Sequence, residues 1–92
     1  MAYTYILQCA DGTYYVGSTT HLQLRLAQHA AGIGAEYTRH RLPVHLAWAQ
    51  DFESAAEAFA MEKRIQGWAH DKRKLLIEEG PAALRGWSKR RK

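Results

Sequence analysis

The sequence is poor in cysteine and has no long apolar run. Its one cysteine, Cys9, permits no disulfide within the chain and no cysteine-rich zinc site, which fits a reducing compartment. No stretch approaches the roughly 18 apolar residues of a membrane-spanning helix. The opening Met1-Ala2-Tyr3-Thr4-Tyr5 lacks the basic-then-apolar pattern of a secretory leader, so a cytoplasmic location without membrane attachment is expected. The chain also has no Gly-x-x-x-x-Gly-Lys loop, no Gly-x-Ser-x-Gly elbow and no His-Glu-x-x-His, which disfavours P-loop nucleotide hydrolysis, serine esterase chemistry and that type of zinc site. Its histidines, His21, His29, His40, His45 and His70, have no metal-ligand spacing.

What is present describes a globular protein. With 92 residues, 47% of them apolar and 24% charged, the chain suits one hydrophobic core, since single domains span roughly 50 to 200 residues. The formal charge of +4 is unevenly spread: residues 85 to 92 carry five cations and no acid, leaving eight cations and nine acids before them. A basic end of this kind attracts phosphate backbones through counterion release, or simply keeps the chain soluble.

Residues 3 to 9 and 13 to 17 are aromatic and β-branched around Asp11-Gly12, the signal of a β-hairpin. Gly17-Ser18-Thr19-Thr20 offers turn and cap chemistry for a helix from about His21 to Ala31, ended by Gly32, with Leu22 and Leu26 inward and Arg25 and His29 at the edge of that face. Residues 32 to 43, with two glycines and Pro43, read as an irregular connection, and Val44 to Gln50 as a third strand. Ser54-x-x-Glu57 is a capping box for a helix reaching about Gln66, and a last helix over Lys72 to Glu79 is stopped by Gly80-Pro81.

One charged residue stands out. Ala55, Ala58, Phe59, Met61 and Ile65 define the apolar arc of the Ser54 helix, and Glu62 lies near its centre. An inward carboxylate needs a partner, either a cation such as Arg25 or a metal ion. Tyr3, Tyr5, Tyr14 and Tyr15 crowd the hairpin, where packing is the ordinary role, and Gly17 permits a turn or a close approach.

Together, Thr4-Tyr5-Ile6, Tyr15-Val16-Gly17 with the two tyrosines ten positions apart, Arg25-x-x-x-His29 and the distant Glu62 resemble the GIY-YIG nuclease superfamily, over about residues 3 to 78. Tyr37-Thr38-Arg39 followed by Pro43 resembles a loop of its small stand-alone bacterial members. The first motif departs from the family in reading Thr-Tyr-Ile, and Leu24 stands where many relatives carry a basic residue. The resemblance implies an α+β fold, a three-stranded antiparallel sheet flanked by helices, over residues 1 to 80, with a basic tail over 81 to 92. It also implies hydrolysis of nucleic-acid phosphodiesters, DNA rather than RNA, with one Mg2+ or Mn2+ held by Glu62.

By the same resemblance Tyr5, Tyr15, Arg25, His29 and Glu62 are the catalytic set, with the general base open among Tyr5, Tyr15 and His29. Gly17, Thr38, Arg39, Lys89, Arg90, Arg91 and Lys92 are the expected nucleic-acid contacts. A module that binds nucleic acid without cutting it is the alternative. With no separate targeting domain, a specific target would depend on substrate shape or on a protein partner.

Overall fold

The aromatic and β-branched residues at the start of the chain form strand β1 (Ala2–Gln8), and β2 (Tyr14–Thr19) returns antiparallel beside it, in a computed structural model that describes residues 1–78. Asp11 and Gly12 build the turn. Gly12 takes φ +86°, and Asp11 Oδ1 accepts both the Thr13 amide at 3.1 Å and the Thr13 hydroxyl at 2.6 Å. Strand β3 (His45–Phe52) pairs antiparallel with the other side of β1, giving the order β2-β1-β3. The α+β class and the three-stranded antiparallel sheet are as expected, and β3 is displaced slightly from the expected 44–50.

Helix α1 (Leu22–Ala30) follows β2. Gly17, Ser18 and Thr19, expected to turn and cap, stay in β2 because they pair with Tyr5, Thr4 and Tyr3. The capping residue is His21, whose side chain makes no cap bond; its amide donates instead to Thr19 Oγ1 at 3.0 Å. A one-turn helix, α2 (Glu36–Arg39), lies inside the stretch expected to be irregular. Four residues are too few to show a helical period.

Helix α3 (Ala55–Gln66) starts at the expected capping box, with Ser54 Oγ accepting the Glu57 amide at 3.1 Å and Glu57 Oε1 accepting the Ser54 amide at 3.2 Å. A last helix, α4, spans 70–78. Its Arg73 ties it to the end of α3, donating to the Ile65 carbonyl at 3.2 Å and the Gln66 carbonyl at 2.9 Å. The expected helix end at Glu79, the Gly80-Pro81 stop and the basic tail lie outside the described residues.

The core forms on one face of the sheet, where Ile6, Val16 and Trp48 meet Met61 and Ile65 of α3 and Leu76 of α4. Two expected faces are rotated. In α3 the buried residues are Ala58, Met61 and Ile65, while Phe59 is exposed with Lys63 Nζ over its ring. In α1, Leu22 and Leu26 are half-buried, and the fully buried side chain is His29. The reason is that α1 meets the second face of the sheet through the Tyr5–His29 hydrogen bond, which turns the histidine inward.

Candidate active site

Side chains alternate across a strand, so Tyr5, Tyr15 and Gly17 share the sheet face opposite to Ile6, Val16 and Ser18. Gly17 lies across from Tyr5 in the ladder, and a Cβ there would stand 2.6 Å from the Tyr5 hydroxyl and 2.7 Å from its Cζ. The glycine is needed to admit the phenol. That is a packing role, where a nucleic-acid contact had been expected.

From α1, His29 comes down onto this phenol. The Tyr5 hydroxyl lies 2.9 Å from His29 Nε2, and His29 Nδ1 lies 2.9 Å from Thr38 Oγ1. The Thr38 hydroxyl proton goes to the Ala35 carbonyl at 3.2 Å. Counting protons then assigns the tautomer: Nδ1–H donates to Thr38, and Nε2 accepts from Tyr5. Thr38, expected to face nucleic acid, is instead fully buried and holds the ring. Gly34 closes the other approach, since a Cβ there would stand 2.6 Å from His29 Nδ1 and 2.8 Å from its backbone nitrogen.

Tyr15 flanks the pair, its ring centroid 5.2 Å from that of His29 and 6.4 Å from that of Tyr5. Burial, and then the Arg25 charge, pushes His29 below its ordinary value, so the ring is neutral near pH 7. Burial, and then Tyr15, pushes Tyr5 well above the ordinary phenol, against an opposing pull from Arg25. Tyr15 is raised by burial and then by Glu62, again opposed by Arg25.

Glu62 and Arg25 come from different layers. Glu62 belongs to α3, on the core face, and Arg25 to α1 on the other, and both charges act on the two tyrosines. The half-buried Glu62 accepts the Ser18 hydroxyl at Oε1 (2.6 Å) and Gln66 Nε2–H at Oε2 (2.9 Å). Among the described residues Arg25 makes no contact ion pair with it, which corrects the reading of the two as a buried pair. Beside Arg25 opens a shallow cleft of about 320 Å³ lined by Thr19, Thr20, His21, Leu24 and Gln28.

Tyr5, Tyr15 and His29 thus lie in contact, and the charges of Arg25 and Glu62 act on both tyrosines. Arg39 is exposed and pairs with Glu36 at 3.4 Å, and Lys89, Arg90, Arg91 and Lys92 lie outside the described residues. Gly34, Ser18 and Gln66 were missed. Gln66 was findable, one helical turn beyond Glu62; Ser18 and Gly34 act only through the fold.

The donor set can be tested against a divalent cation. No group of three or more His, Cys, Asp or Glu gathers among the described residues, so Glu62 would be a single carboxylate ligand. Both its hydrogen bonds come from neutral groups, leaving its negative charge available. One hard oxygen donor with remaining positions for water and phosphate oxygens suits Mg2+ or Mn2+, and the residues fit.

Comparison with known proteins bears on the family. The GIY-YIG catalytic domain profile matches residues 1–75. A UPF0213 protein of Halobacterium salinarum, VNG_2274C, is 45% identical over 77 residues, covering 84% of this chain and 100% of its own length. A UPF0213 protein of Bacillus pumilus is 47% identical over 77 residues, covering 84% and 79%. The solution NMR structure of UPF0213 protein BH0048 from Bacillus halodurans superposes with a TM-score of 0.56 at 39% identity, covering 85% of this chain and 84% of that one. With its sheet, its paired tyrosines and its match over nearly all the described residues, the chain belongs to the GIY-YIG catalytic domain family, beside the small UPF0213 proteins.

Proposed function

We propose that the protein is a divalent-cation-dependent endonuclease hydrolysing nucleic-acid phosphodiester bonds, with DNA rather than RNA as its substrate. Membership of a nuclease superfamily supplies the coarser statement, and nucleic acid is the substrate that superfamily suggests. The observation that supports hydrolysis is the buried chain from Tyr5 through His29 to Thr38, with Arg25 and Glu62 both acting on the tyrosine hydroxyls.

A free phenolate at Tyr5 is costly, because burial raises its pKa and each unit costs about 1.36 kcal/mol. A route through neutral His29 avoids the free phenolate, at the cost of protonating an imidazole that burial and Arg25 keep neutral. As Tyr5 Oη takes a proton from the attacking water, its own proton passes over the 2.9 Å bond to Nε2, and no free phenolate accumulates. Arg25 is a fixed cation for the phosphoryl oxygens, where negative charge grows in the transition state. A divalent cation, when bound at Glu62, supplies further positive charge to the phosphate and the leaving oxygen.

The test is Mg2+-dependent cutting of a panel of fluorescent DNA and RNA substrates, with a chelator control. Arg25→Ala and Glu62→Ala should each reduce cleavage by about a hundredfold or more with thermal melting nearly unchanged. Undiminished cutting by both variants overturns the proposal. Wild-type protein that binds DNA and never cuts it identifies the binding module instead.

A further inference from the structure

Thr38 fixes the His29 tautomer, yet the helix that carries it is a single turn whose other three residues, Glu36, Tyr37 and Arg39, are exposed. Something other than core packing must hold it. The contacts converge on Arg41. Its Nη1 donates to the Tyr37 carbonyl at 2.8 Å, its Nε donates to Asp11 Oδ2 at 3.1 Å, and its Cζ lies 3.9 Å from the Tyr37 ring centroid. Its own backbone is tied on both sides, the amide donating to the Thr38 carbonyl at 3.0 Å and the carbonyl accepting the Ala10 amide at 3.0 Å. Asp11 meanwhile uses its other oxygen to build the hairpin turn.

We infer that Arg41, clamped between Asp11 of the β1–β2 turn and Tyr37 of α2, is a positioning residue that keeps Thr38 against His29 and so decides which imidazole nitrogen carries the proton. The inference rests on the nuclease reading for its consequence in catalysis. The chemistry follows from the proton count: without Thr38 as acceptor, the neutral ring is free to carry its proton on Nε2, and an Nε2–H cannot accept from the Tyr5 hydroxyl. The Arg41–Asp11 pair is partly exposed and so adds little to global stability; its effect is local.

Long-range 1H–15N spectra of the imidazoles in the full chain read this directly. The wild type should show His29 with its proton on Nδ1. Arg41→Ala should shift His29 toward the Nε2–H form and lower kcat by about ten- to a hundredfold with KM less affected. Asp11→Asn should do the same to a smaller degree, and it decides the matter if Arg41→Ala does not fold. A wild-type His29 tautomer in the folded variant overturns the inference, as does an Nε2–H proton in the wild type. These spectra need no substrate, so a protein that cuts nothing would defeat the nuclease reading while leaving the positioning role decided separately.

Discussion

A histidine with no exposed surface and a tyrosine that is 2% exposed share one proton over 2.9 Å. Their shifts have opposite consequences for stability. Folding favours neutral His29, so this contribution is present above pH 6.5 and is lost as pH falls through the lower native value, because the unfolded ring is protonated first. Folding favours the protonated phenol of Tyr5, so its contribution is present below pH 10.0 and is lost as pH rises through the raised native value. Thermal melting should therefore be highest between these limits, and Tyr5→Phe should reduce the alkaline loss. Melting curves of both proteins from pH 5 to 11 check this; an alkaline limb of equal depth in the variant would contradict it. The two tyrosines were legible in the strand pattern, whereas His29 was expected only at the edge of the face that it fills. That Gly17 and Gly34 make room for them was not legible, because a missing Cβ leaves no trace in a hydrophobic pattern.

At the scale of the element, α3 was the most legible helix, since its start is written in two residues, Ser54 and Glu57, that satisfy each other's backbone donors. Ser54→Ala should cost about 1 kcal/mol, lowering Tm by roughly 4–8 °C for a domain of this size. Circular dichroism melting measures it, and cleavage well below the transition should persist because Glu62 lies two turns into the helix. An unchanged Tm would mean that the cap contributes nothing. The face of α1 was misread for a physical reason. Apolar periodicity ranks leucine above histidine, whereas this helix is docked by an imidazole with both nitrogens bonded. Helix α2 went unread because its order comes from Arg41 and Asp11, outside the helix itself.

For the whole molecule, the charge division bears on substrate affinity: the eight residues from Arg85 hold five of the thirteen cations. Ending the chain after Leu84 should weaken binding to a DNA oligonucleotide at low salt and reduce the slope of log K against log salt by about 0.9 for each cation that meets a phosphate. Fluorescence anisotropy across a salt series reports both, and an unaltered slope would assign binding to the body alone. By itself the sequence determined the hairpin, the three strands, the capped third helix and the ordered set of tyrosines, arginine, histidine and glutamate, because turn, cap and alternation signals are local. Tertiary structure decided that His29 is sealed and neutral, that Thr38 holds it, and that Arg25 and Glu62 reach the same tyrosines without pairing. Those outcomes join residues 24 positions apart, as Tyr5 and His29, and 44 apart, as Ser18 and Glu62, and only the packing of α1 and α3 against opposite faces of the sheet brings them within bonding distance.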